Sequence, residues 1–366
     1  MAPPDPGDRA WVATRKGLFE LRRSGDGWRI GKVSFLGEPV SMMLPPLAAG
    51  PHAGRMLAAL HLGHFGAKLH ASDDGGVRWG EVAAPSYPEQ PPEAKGPAWK
   101  LVQVWSLESA GAAVWAGTLP GGLFRSDDFG VSWSLVRSLW DLPERAEWFG
   151  GGYDVPGIHS ISPHPSRTGD LLVGVSCGGV WHSGDGAATW SLRTQGLRAA
   201  YMPPERADDG RIQDPHRIAR CRGQPQVIWC QHHNGIWRSV DEGRQWSEVT
   251  TAPVSSFGFA VAAHPGDPQR AWFVPAVADQ CRVPKDGALV VQHTRDGGAS
   301  FETQRRGLPQ ADCYDLIYRH GLDVADDGRT LLMGSTGGAL WSSRDGGVQW
   351  HALPMHLPPV YAVRFG

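Results

Sequence analysis

The chain of 366 residues has no apolar run near the length that spans a bilayer, and its first ten residues, Met-Ala-Pro-Pro-Asp-Pro-Gly-Asp-Arg-Ala, lack the apolar core of a signal peptide. A cytoplasmic location, with no membrane partner, is the expectation. An excess of one charge is missing too, since 35 Lys and Arg face 37 Asp and Glu for a formal net charge of -2. With both signs evenly spread there is no basic stripe for nucleic acid and no polybasic patch for anionic lipid. Cysteine is scarce: Cys177, Cys221, Cys230, Cys281 and Cys313 form an odd, irregularly spaced set without any Cys-x-x-Cys pair. That excludes a disulfide framework and a structural zinc knuckle, and leaves free thiols.

What the sequence has in abundance is a repeated turn. A hydroxyl residue, an Asp, a Gly and a closing aromatic recur at Ser72–Trp79, Ser126–Trp133, Ser183–Trp190, Ser239–Trp246, Thr294–Phe301 and Ser343–Trp350. The Asp accepts backbone N–H groups, Gly supplies the positive φ, the hydroxyl bonds locally, and the aromatic ring is a packing anchor. The boxes lie about 50 to 60 residues apart, which suits a four-stranded antiparallel sheet and is too long for a helical repeat. Ser24-Gly25-Asp26-Gly27-Trp28 reads as a shortened box of a seventh, N-terminal copy. An all-β, seven-bladed β-propeller in a single domain over 1–366 follows, with residues 1–10 as a flexible tail.

These boxes resemble the Asp-box, or bacterial neuraminidase repeat, of sialidases, sortilins, xyloglucan-cleaving glycosidases and photosystem assembly factors. The stretches His61–Gly66, Tyr201–Glu205, Gln213–Arg217 and Cys313–His320 resemble a bacterial group of single-propeller proteins described as sialidase-like. The resemblance implies the fold rather than a reaction. Sialidases themselves carry an Arg-Ile-Pro motif, and this chain has none; Arg29-Ile30-Gly31 is the nearest string.

Alternation and glycine punctuation assign four strands, A to D, to each blade, with the box as the C–D turn. Strand A falls at Ser41–Leu44, Leu101–Trp105, Ile158–Pro163, Arg217–Arg220, Gly258–Ala262, Tyr314–Tyr318 and Val360–Phe365. The last is expected to join the blade whose other strands begin at Trp11, which removes a free sheet edge. Strand direction then sorts the histidines. His159 and His216 head their A strands, and His61, His64, His232 and His233 sit in B–C loops, so all six belong to one face. His164, His264 and His320 are assigned to A–B turns on the opposite face.

Neutral imidazole is the commonest metal ligand, and several around an open position suit iron, copper, manganese or zinc. His61, His159, His216 and His233 are the candidate ligands, with His64 and His232 in reserve; the competing reading makes them hydrogen-bonding residues of a wet channel. Glu205, Asp214, Asp315 and Tyr361 are candidates for proton transfer. Trp148 and Tyr153, around the triple glycine Gly150-Gly151-Gly152, form a candidate pocket wall, and Lys68 and Arg15 offer positive charge to an anionic substrate. An insertion in blade 6, Val274 to Gly287, carries Asp279, Gln280, Cys281 and Arg282 and reads as a lid or specificity loop. The expected function is a metal-dependent oxidase, lyase or hydrolase acting on a small anionic molecule, in a monomer or homodimer. The alternatives are a peptide- or protein-binding propeller and a glycoside hydrolase of sialidase type.

Overall fold

A computed structural model describes residues 7–25, 27–94 and 96–366. Its strands form seven four-stranded antiparallel sheets, the seven blades of a β-propeller. Blade 1 takes strand A from the C-terminus: Val360–Phe365 pairs with Arg9–Thr14, which pairs with Gly17–Ser24 and then Gly27–Ser34. The chain gathers into two compact units. One contains blade 1 and the blades built on Pro215–Arg220, Gly258–Ala263 and Leu322–Val324 (blades 5, 6 and 7); the other contains those built on Val40–Leu44, Gln103–Ala110 and Ile158–Pro163 (blades 2, 3 and 4). No helix among the described residues is long and apolar enough to cross a membrane.

The boxes work as their residue types demand. In blade 3 the Ser126 hydroxyl donates to Asp128 Oδ1 (2.7 Å) and accepts the Gly130 N–H (2.7 Å), while Oδ1 also accepts the N–H groups of Val131 (3.1 Å) and Ser132 (2.9 Å). The same hydroxyl–carboxylate pair recurs at Ser72/Asp74, Ser183/Asp185, Ser239/Asp241, Thr294/Asp296 and Ser343/Asp345. With so many donors aimed at it, first among them the Ser132 hydroxyl, the Asp128 carboxyl is held down at about 2. Of the closing rings, Trp246 and Trp350 are fully buried and the others half-buried.

Tryptophan dominates the packing between neighbouring sheets. Trp115, Trp148 and Trp181 meet Leu171 and Val173 between blades 3 and 4, and Trp272, Trp341 and Trp350 meet Leu331 and Met333 between blades 6 and 7. Large rigid rings fill such wedge-shaped gaps at low entropic cost.

Several expectations need correction. Strand A of blade 7 is Leu322–Val324, not Tyr314–Tyr318. Leu316 is tied to Thr336 through one backbone bond and the Thr336 hydroxyl, and a tight turn closed by Gly321 N–H to the Tyr318 carbonyl (2.7 Å) postpones the strand. His320 therefore lies ahead of strand A, bridged to Ala362, and not in the A–B turn, while Asp315 heads no strand. Residues 1–6 of the expected tail lie outside the described residues, as does Asp26 of the shortened box, but Arg9 and Ala10 already belong to a strand. Trp28 is likewise a strand residue.

Candidate metal centre

A recurring irregularity positions the residues that head the A strands. In five blades the ladder skips one residue near the start of strand A: Ser41, Trp105, His159, Phe259 and Tyr361 each stand unpaired between two paired neighbours. These are β-bulges, which re-aim a side chain while keeping the strand in its sheet. His216 holds the equivalent rank as the second residue of Pro215–Arg220.

His216 is buried and fixed. Its Nδ1 is 2.6 Å from the Gly258 carbonyl, which only accepts, so Nδ1 carries the hydrogen and Nε2 is the nitrogen that bears the lone pair. The ring stacks on Phe259 (centroids 4.4 Å, 13°) and meets His233 edge-on at 5.3 Å. His233, half-buried in the turn after Ile228–His232, is held by Phe257 (5.7 Å) and Tyr201 (4.8 Å). Asp214 directly precedes the His216 strand, and residues two apart on extended chain face the same way. Asp214, His216 and His233 each offer one ligand atom, all within 4.8 Å of one another. Two imidazoles and a carboxylate form a donor set that fits iron, manganese or zinc. Asp214 also accepts the Cys177 N–H at 3.2 Å, which anchors one carboxylate oxygen.

The other sequence candidates take different places. No group of three potential metal-binding side chains among the described residues includes His61 or His159. His61 ends its strand with Nδ1 2.8 Å from the Val102 carbonyl. His159 is fully buried beside Ser160 (2.9 Å) and edge-on to Trp105 (5.4 Å). His64 is exposed on a single 3-10 turn, and the buried His232 accepts the Asn234 N–H at 3.0 Å. Trp148 is buried against Trp181, whereas Tyr153 is exposed and edge-on to Trp105. Lys68 sits within a strand and pairs with Glu81 at 2.6 Å, so its charge is partly neutralised. Arg15 and Glu205 are exposed, Tyr361 is partly so, and Asp315 is half-buried.

Asp214 as a third ligand is the residue that the histidine count passed over, although the Asp-Pro-His spacing carries the signal. Also passed over is a set of guanidinium groups on Phe259: the Cζ of Arg282 lies 5.3 Å and that of Arg319 5.2 Å from the ring centre. These contacts join distant stretches of chain and leave no local motif.

Compared with known proteins, the sequence matches no family model and no curated protein. In fold the chain is similar to the GH74 xyloglucanase from Xanthomonas campestris, at TM-score 0.63 and 17% identity over 94% of this chain and 52% of that one. It is also similar to a putative 6-phosphogluconolactonase from Bacteroides uniformis (TM-score 0.61, 12% identity, 98% and 100% covered) and to YCF48 bound to D1 peptide (0.53, 12%, 93% and 88%). The chain spans about half the length of the xyloglucanase. At these identities the likeness shows the fold alone.

Proposed function

We propose that His216, His233 and Asp214 bind a divalent transition metal and that the chain is a metal-dependent enzyme acting on a small anionic substrate. The observation that carries this reading is the donor set itself, three ligand atoms within 4.8 Å with the His216 tautomer fixed by the Gly258 carbonyl. A metal there would supply Lewis acidity to a bound oxygen atom. Tyr201, in ring contact with His233, brings a phenol to the rim of the set. Its hydroxyl is a candidate for orienting substrate or moving a proton.

Elemental analysis of protein purified without a histidine tag tests the reading. About one equivalent of iron, manganese, zinc or copper is expected, falling below a tenth in His216→Ala and His233→Ala while the circular dichroism spectrum is retained. Absence of stoichiometric metal, together with a melting temperature unmoved by excess of each metal, would overturn it. The second reading, a peptide-binding propeller, is favoured by the likeness to YCF48 bound to D1 peptide. It gains if the metal test fails.

A further inference from the structure

One arginine in blade 5 lacks the carboxylate that its counterpart in blade 3 grips. Arg125, the residue before the blade 3 box hydroxyl, lies over the Trp115 indole (5.4 Å) and donates to the Gly186 carbonyl in the next blade's box (3.2 Å). It also holds Asp127 through Nε (2.8 Å) and a terminal nitrogen (2.7 Å). Blade 5 repeats the arrangement: Arg238 precedes the Ser239 hydroxyl, lies over Trp229 (5.2 Å) and donates to the Gly297 carbonyl of the blade 6 box (3.4 Å). At the position of Asp127, however, stands Val240. Blade 2 keeps an acid there too, since Asp73 pairs with Arg55 at 2.6 Å.

The Arg238 guanidinium is left with neutral partners. Besides Gly297 it reaches the Pro268 carbonyl and the Gln269 side chain, both at 3.3 Å, and its Nε is buried with no hydrogen-bond partner. Burial alone moves its pKa, downward, and no carboxylate among the described residues pairs with it. A half-buried charge without a counter-ion is costly, and an anion relieves it.

This guanidinium lines a cavity of about 400 Å³ between blade 5 and the box of blade 6. The cavity beside Arg125 is smaller, about 270 Å³, and has Asp127 in its wall. Ser247 lies opposite Arg238 in the ladder and Val249 two residues on, so a hydroxyl and an apolar side chain share the guanidinium's side of the sheet. Asp241 and Glu248 border the same space, and Asp241 Oδ1 already accepts the Ser239 hydroxyl (2.8 Å) and the Gln245 N–H (2.9 Å). Their charges disfavour a second negative group on a ligand.

We propose that this cavity binds a small monocarboxylic acid, whose carboxylate takes the Arg238 guanidinium and the Ser247 hydroxyl and whose apolar remainder lies against Val249. The ligand supplies in blade 5 what Asp127 supplies in blade 3. Arg238 stands at the opposite end of strand Gly235–Ser239 from His233, so the site is separate from the metal ligands and independent of them.

Saturation-transfer NMR titration of the intact chain with butyrate tests the site, with neutral butyramide and doubly charged succinate as controls. Butyrate should bind saturably, and both controls about tenfold more weakly or worse. Arg238→Gln should weaken butyrate about tenfold or more and Arg238→Lys by less. Val240→Asp, which restores the partner found in blade 3, should weaken it about tenfold or more as well. All three variants should keep the wild-type circular dichroism spectrum, because Asp already occupies that box position in blades 2 and 3. The site is overturned if wild-type protein does not bind butyrate, if butyramide binds equally well, or if folded Arg238→Gln or Val240→Asp binds butyrate as tightly as wild type. Binding that persists after metal is stripped with a chelator supports the separate site, and binding that vanishes with the metal overturns it.

Discussion

His293 shows what burial does to a single ionisable group in this fold. Its ring lies flat on the Trp272 indole (4.6 Å, 5°), and Gln304 sits 3.2 Å from its Nδ1. Burial first, then the charges of Arg295 and Arg270 and the nearby His264, lower its pKa to about 3. The folded chain thus holds His293 neutral where the unfolded chain, with an ordinary value near 6.5, takes up a proton. The stability tied to this group is complete above about pH 6.5 and is lost as pH falls from there toward 3, at up to about 1.4 kcal/mol per pH unit. His293→Phe keeps the aromatic stack and removes the titration, so denaturant unfolding measured between pH 6.5 and 4 should show a flatter pH dependence than wild type. Other histidines were legible one by one. His164 and His264 were assigned to turns from their following prolines, and each imidazole accepts two N–H groups of its own turn, from Ser166 and Arg167 and from Gly266 and Asp267.

Among the elements, the segments that pack against a box's closing ring tolerate little change where the chain passes close to itself. Gly307 has φ +80°, and a Cβ there would lie 1.7 Å from the Trp350 carbonyl oxygen. Trp350 is fully buried and donates its N–H to the Arg306 carbonyl (2.9 Å), so the obstacle cannot move aside. Gly307→Ala should cost about 2 to 4 kcal/mol in urea unfolding, against about 0.5 kcal/mol or less for Gly266→Ala, where nothing lies within 4 Å of the added carbon. The boxes were readable because Ser, Asp and Gly bond to partners within four residues. Strand A of blade 7 was not, because Tyr314–Tyr318 alternates like a strand while its partners are a distant threonine and a turn. Gly321, whose missing side chain lets the Gly334 carbonyl approach, was the clue that the turn needed.

Across the whole molecule, seven sheets followed from box spacing, and blade 1 was correctly expected to borrow its first strand from the C-terminus. At the candidate site, His216 was singled out as a strand head and Asp214 as a residue for proton transfer, but the closeness of Asp214 to both imidazoles and the ring and guanidinium contacts of Phe259 depend on folds of chain that no local pattern records. Removing Val360–Phe365 strips the Arg9–Thr14 strand of its neighbour and uncovers Val12, Leu332 and Leu340. A chain shortened by residues 360–366 should lose its sharp melting transition and run as aggregates on size exclusion.

The skipped residue at the head of strand A has a consequence for how such a molecule can change. Because the ladder bypasses that position, its occupant is excused from matching a partner across the sheet, and serine, tryptophan, histidine, phenylalanine and tyrosine all hold it in one chain. Blade after blade therefore offers a socket whose contents can be exchanged without redesigning the sheet around it. New chemistry can be acquired there one side chain at a time.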